Sequence, residues 1–205
     1  GDLTIRPARL PRLENQELRE AARWEAAGLL ELDAADVVAE PLIVSDGVDA
    51  DGLAEMLIVA GSVTTIESRL EPLLQAGLRP IGVEPAFVGA GRAFTLRSRR
   101  SNEQDRIRVV VDVADSESWI VVTRGDRIVF AKRSEVGGST FDAELGSALG
   151  IDDSMARRTR CESDRRDLEP EVLAELRTAV RRVAGPLGDE VGMAVRYVTV
   201  AARLG

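Results

Sequence analysis

The stretch 109-VVVDVADSESWIVV-122 reads as a strand, a short turn of small and hydroxyl-bearing residues, and a returning strand. Its Val-rich arms suit a pleated, half-buried surface. Asp112 stands near the end of the first arm, and Ser116 and Ser118 flank the return. Small residues let a backbone approach a phosphate closely, and a carboxylate can orient magnesium-bound water. Further on, 136-VGGST-140 closes a third strand and opens a helix. Gly137 and Gly138 would let the chain turn sharply and aim the helix N-terminus at an anion. The same residues also read as an ordinary hairpin followed by a Gly-Gly helix entry, and spacing alone does not choose between the two.

Around this centre the second half predicts strands at 107–113, 118–125 and 127–136, with Gly125-Asp126 as a tight turn. Helices follow at 139–150 and 152–160. The second begins with acids and ends with arginines, as the helix dipole favours. The remainder, 169–205, is helical and divided by Gly185-Pro186. Upstream, 86-AFVGAGRAFTLR-97 predicts a helix whose Gly89 and Gly91 suggest close backbone packing, followed by a polar loop at 98–105.

The first half has a different rhythm. A strand at 3–10 stops at Pro11, and a helix follows at 14–32 with Asn15 as N-cap. Its stripe is Leu18, Ala21, Ala22, Glu25 and Leu29, with Trp24 at the edge. Next come a strand at 37–45, where Pro41 marks an edge or a bulge, a turn at 46–52 and a strand at 54–61. A helix at 62–77 has Ser62 as N-cap and Gly77 after its end, and a strand at 78–84 closes the series. Strand, helix, strand, strand, helix, strand is a split β-α-β pattern, one antiparallel sheet with two helices on one face. The expected division is therefore a split β-α-β module at 1–85 and a second domain at 86–205.

Composition narrows the chemistry. With 44% hydrophobic and 30% charged residues the chain can bury a core, and with 3% aromatics that core must be aliphatic. The net charge of −8 disfavours nucleic acid and anionic lipid as main ligands. The basic clusters 97-RSRR-100 and 157-RRTR-160 read as solvated charge runs. Histidine is absent and Cys161 is the one cysteine, which excludes Ser-His-Asp and Cys-His catalysis and His-ligated zinc. Cys161 reads as an ordinary thiol. Lys132 is the sole lysine, and no GxxxxGK[ST] surrounds it, so a P-loop is excluded. The pair 89-GAG-91 lacks the third glycine of a dinucleotide fingerprint. No apolar run reaches the roughly 20 residues that span a bilayer. Gly1 in place of Met reads as the scar of an excised piece.

Taken together, 17-ELREAARWEAAGLL-30, 77-GLRPIGVEPAF-87 and 112-DVADSESWIVVTRGDRIVFAKRSEVGG-138 resemble the PilM family of type IV pilus assembly proteins. That family lies within the actin-like ATPase superfamily and is related to FtsA. The resemblance runs from about Leu10 to Val200. It implies an α+β (α/β) chain, a partial actin-like, ribonuclease-H-like fold with an inserted split β-α-β module of the 1C or SHS2 type. The module would be 1–85, and 86–205 would hold parts of subdomains 1A and 2. The family's first phosphate loop and its adenosine loop have no counterpart here, so the chain reads as an internal fragment.

The resemblance also implies a site and partners. Asp112, Ser116, Ser118, Gly137 and Gly138 match nucleotide-binding positions, with Asp112 the magnesium position. Ala114, Asp115 and Glu117 depart from the family loop, and two added carboxylates there would repel a triphosphate. No cofactor is therefore expected in this chain, although ATP and magnesium belong to the parent fold, and no ATPase activity is expected. The implied partner is the N-terminal peptide of a PilN-like inner-membrane protein, docked in extended form in a groove lined by Leu42, Val59, Ile81, Val83, Pro85 and Phe87. Pilus motor components and homo-oligomers are further implied partners, and nucleic acid and direct membrane insertion are not. The implied location is the cytoplasm, peripheral to the inner membrane through the partner. Two alternatives remain: an actin-like ATPase completed by loops outside this sequence, and a relative serving type II secretion (GspL-like) or cell division (FtsA-like).

Overall fold

The computed structural model describes residues 3–95, 106–164 and 168–204, the side chains of Asp46 and of 201–204 excepted. The polar loop expected at 98–105 and the 97–100 basic cluster lie outside them. The chain divides into two compact units, Gly1–Arg108 with Thr123–Ala131, and Val109–Val122 with Lys132–Leu204.

In the first unit, β1 (Thr4–Pro11), β2 (Val37–Val48) and β3 (Leu53–Ser62) form an antiparallel sheet in the order β1-β3-β2. The central strand is the most apolar, because both of its edges and both of its faces are covered. Ala54, Met56, Ile58 and Ala60 alternate along it and meet α1 (Asn15–Leu30) through Leu18, Ala22, Ala26 and Ala27. Alanines on the inner face of α1 let the helix lie close to the sheet. Leu57 and Val59 point to the opposite face and are buried as well. Pro41 stands on the edge strand β2, which also carries a register shift between Ile43 and Val48. Proline has no N–H to give a ladder, and an edge strand tolerates that loss.

Several local expectations hold. Ser62 caps α2 (Val63–Gln75) by accepting the Thr65 amide at 3.2 Å, and Gly77 takes a left-handed φ of 76° after it. Others do not. Glu14, not Asn15, is the N-cap of α1, and it makes no side-chain cap bond. Trp24 is 64% exposed, so it does not line the edge of the buried stripe. The segment 78–84 forms no strand. Its alternating Ile81 and Val83 carry a strand pattern, but a strand exists only by pairing, and among the described residues nothing pairs with it. With no fourth strand to cover, α2 buries none of its side chains.

After α3 (Ala86–Thr95), β4 (Ile107–Val113), β5 (Ser118–Arg124) and β6 (Arg127–Ser134) form a second sheet in the order β4-β5-β6. Their connections are too short for anything but antiparallel hairpins. Gly125, at φ 60°, provides the positive dihedral that the two-residue turn requires. Every residue of β5 from Ser118 to Thr123 is buried. Gly89 meets nothing where a Cβ would stand, so only the buried Gly91 fits the packing role expected of the pair.

In the second unit, α4 (Gly138–Leu149), α5 (Asp153–Cys161) and α6 (Pro170–Leu204) share a core of Leu145, Ala156, Leu176 and Ala179. Each fully buried leucine there stabilises by about 1.5–3 kcal/mol. Gly185-Pro186 does not divide α6, which is one helix of 35 residues. Val183 and Leu187 are buried on either side of Pro186 and continue the stripe of Leu176 and Ala179. Packing at that spacing outweighs one missing amide donor.

Candidate functional site

The Ala114–Glu117 turn joins β4 to β5 and lies against the start of α4. The Ala114 amide donates to the Glu117 carbonyl at 2.9 Å, which closes the turn. The Gly138 amide donates to the Ala114 carbonyl and the Ser139 amide to the Asp115 carbonyl, both at 2.8 Å. The Gly137 amide donates to Thr140 Oγ1 at 3.2 Å. The first free N–H groups of a helix are what an anion would engage. Here the turn's own carbonyls take them. Gly137 has an extended backbone (φ −132°), so it is a glycine for space rather than for dihedral. A Cβ on it would lie 2.5 Å from Asp115 O, Ser116 C and Glu117 N.

The side chains of the turn are also partnered. Asp115 Oδ1 pairs with Arg157 Nη1 at 2.7 Å, with both groups well exposed. Glu117 accepts from Trp119 Nε1 at 3.1 Å and pairs with Arg133 at 3.4 Å. The repulsive carboxylates expected from sequence are thus compensated within the unit. Ser118 is fully buried and its Oγ donates to the Val136 carbonyl. Ser116 is exposed in the turn, and Asp112 is half-buried in β4. Among the described residues no three carboxylates or thiols gather as a metal site. Of the five positions matched to nucleotide binding, Ser118, Gly137 and Gly138 are held by these bonds in a clasp, while Asp112 lies on β4 and Ser116 in the exposed turn.

Beside the clasp, Arg160 grips Asp142 with two hydrogen bonds of 2.6 and 3.0 Å. Asp142 is buried at 3% exposure. The hydrogen bond to Asp142, strengthened by its charge, holds the Arg160 guanidinium above its ordinary pKa despite partial burial. Arg160 belongs to the 157–160 cluster read as solvated. Arg157 and Arg158 are exposed as that reading expects, while Arg160 is drawn inward. The signal that was available is Asp142, a lone acid on the inner face of a predicted helix.

A different arrangement lies in the first unit. A cleft of about 310 Å³ is lined by Pro41, Leu42 and Ile43 of β2, Val88 and Arg92 of α3, and Asp126, Arg127 and Ile128. Leu42 registers with Leu57, so it stands on the face of the first sheet away from α1. Arg92 pairs with Glu84 at 2.8 Å, which ties the end of the 76–85 segment to the cleft wall. Of the six residues expected in a groove, Leu42 lines this cleft. Val59 and Phe87 are buried in the core, Pro85 is half-buried just before α3, and Ile81 and Val83 stand in solvent. Ile43, Val88, Arg92 and Ile128 were not legible as a group, because three separate segments bring them together.

No family model matches the sequence, and no curated protein matches it. Among solved structures, a chain of the PilM-PilN type IV pilus biogenesis complex superimposes with a TM-score of 0.76 at 21% identity. The match covers 97% of this chain. The fold is PilM-like. At that identity the likeness concerns fold alone, and this chain spans 56% of the length of its PilM-PilN counterpart. Ethanolamine utilization protein EutJ from Carboxydothermus hydrogenoformans matches over 50% of this chain and 35% of its own, at 17% identity and a TM-score of 0.36. Among the described residues no helix is long and apolar enough to cross a membrane.

Proposed function

We propose that this chain is a pilus-assembly scaffold that receives the N-terminal peptide of a PilN-like inner-membrane partner, in extended form, in the cleft between β2 and α3. The observation that carries this reading is the cleft itself, set beside an edge strand in a PilM-like fold. An edge strand offers main-chain groups to an incoming segment, and alternate side chains of that segment then enter pockets. Leu42, Val88 and Ile128 supply apolar wall, and Arg92 and Arg127 line it with charge. Ile81 and Val83 extend the apolar surface through the segment that Glu84 anchors. Through its partner the chain would work in the cytoplasm at the inner membrane, with no lipid contact of its own.

As part of the same reading, we propose that this chain takes no nucleotide. What supports this is that the Gly138 and Ser139 amides, at the start of α4, donate to the Ala114 and Asp115 carbonyls. ATP with magnesium should give no heat in calorimetry and no shift in melting temperature.

The docking test is a titration of a fluorescent peptide from the N-terminus of the PilN-like partner. Leu42→Asp changes a half-buried residue on the cleft face, and affinity should fall at least ten-fold in a variant whose fold is checked by its melting curve. Unchanged affinity in a folded Leu42→Asp variant would mean that the peptide docks elsewhere.

A further inference from the structure

Between α6 and the clasp, polar side chains form a chain of bonds that runs inward. Lys132 and Ser134 lie two apart on β6, so they share a face of the strand. Glu190 of α6 meets both of them. Lys132 Nζ stands 2.8 Å from its Oε2, and the Ser134 hydroxyl donates to its Oε1 at 3.1 Å. A carboxylate only accepts, so the Ser134 proton is committed to Glu190 and the Ser134 oxygen is left for another donor. That donor is the Val136 amide, at 3.4 Å. The Val136 carbonyl in turn accepts from the Ser118 hydroxyl at 2.5 Å. Ser118 and Ser134 are both buried, at 0% and 2% exposure. Two buried hydroxyls thus hold both main-chain polar groups of Val136, the residue before Gly137.

We propose that Glu190 is a control point through which α6 sets whether the clasp is shut. By way of Ser134 and Val136 it fixes the main chain that seats Gly137 against the Ala114–Glu117 turn. The fit there is tight, since a Cβ on Gly137 would lie 2.5 Å from three backbone atoms of the turn. A shift of Val136 therefore pushes the turn or parts from it, and parting releases the Gly138 and Ser139 amides from their carbonyls. Buried polar chains of this kind are rigid when every member is satisfied, and the loss of one member leaves the others exposed to rearrangement. The ladder of α6 is also incomplete at this level. Pro186, about one turn before Glu190, removes an amide donor from the helix, and helices bend most readily at such a point. Bending there moves Glu190 relative to β6. The inference concerns the clasp alone and stands whether or not a peptide occupies the cleft.

Hydrogen exchange of the whole chain, followed amide by amide, tests this. Glu190→Ala should speed exchange at Gly138 and Ser139 about ten-fold more than at Leu145, which is buried midway along α4 and reports on global unfolding. Glu190→Gln keeps an acceptor for the Ser134 hydroxyl, so its ratio of turn to core exchange should stay close to the parent's. Ser134→Ala removes one hydroxyl and should match Glu190→Ala, and the double variant should add nothing further. Ser134→Ala also carries the test if Glu190→Ala does not fold. Equal acceleration at the turn and at Leu145 would make Glu190 a general stabiliser and overturn the inference. So would full addition of the two effects, or a Glu190→Gln variant that opens the turn as far as Glu190→Ala does.

Discussion

The turn at Ala114–Glu117 and the cleft beside β2 are built from similar materials, a strand end, a helix start and a few charges, yet they differ in how many polar groups are spoken for. At the turn, backbone amides of Gly138 and Ser139 meet the carbonyls of Ala114 and Asp115, and every turn carboxylate has a cation or an indole. At the cleft, an edge strand with Leu42, and Val88 of α3, border open space. A site that satisfies itself is architecture, while one left open at an edge can receive a partner. The difference teaches that residues matched to a binding motif are not a binding site unless their donors remain available.

The strongest way to break this contrast is at Gly137. A Cβ there would sit 2.5 Å from three backbone atoms, none of which can swing aside like a flexible side chain. Gly137→Ala should destabilise the chain by about 3–5 kcal/mol, within the range of severe packing mutations. A urea titration would measure it. A loss under about 1 kcal/mol would mean that the turn moves freely from α4, reopening the helix start to anions.

Next in size is Asp142. Its carboxylate is almost fully buried, and Arg160, a quarter exposed, is its bidentate partner. Asp142→Ala would leave a partly buried guanidinium without its anion. Breaking a buried pair costs about 3–5 kcal/mol, and the exposure of Arg160 lowers the expectation to roughly 2–3 kcal/mol. Thermal unfolding should show it as a clear fall in Tm, with peptide binding at the cleft unchanged once the chain is folded.

How far sequence carried these two regions follows from which forces are local. The hairpin β5-β6, the caps Ser62 and Gly77, and the acid-to-base polarity of α5 depend on neighbours a few residues away, and they were legible. The strand expected at 78–84 was not there, because alternation at Ile81 and Val83 describes a face without saying what pairs with it. Continuity of α6 through Pro186 goes with the burial of Val183 and Leu187 on either side of it, which spacing along the chain does not reveal. Phe87 looked like a groove residue because it is large and apolar, and the same properties make it core. The clasp was half legible. Its residues were named together from the sequence, but which carbonyl would reach the Gly138 amide is a matter of three dimensions.

The smallest expected effect tests whether the clasp is held by backbone or by charge. Asp115 and Arg157 form the shortest ion pair touching the turn, at 2.7 Å, yet their side chains are 64% and 59% exposed. Water and salt screen such a pair, and two long side chains lose freedom in making it. Exposed pairs of this kind are worth about 0–1 kcal/mol. The amide-to-carbonyl bonds under them involve Asp115 only through its main chain, so Asp115→Ala keeps every one. The variant should therefore unfold within about 0.5 kcal/mol of the parent in low salt, and closer still in 1 M salt, where the Debye length is about 3 Å. A loss of about 2 kcal/mol that salt abolishes would locate the clasp in its charges instead. The two carboxylates added to this loop would then be its fastener rather than bystanders, and the contrast with the cleft would rest on electrostatics, not on saturated backbone.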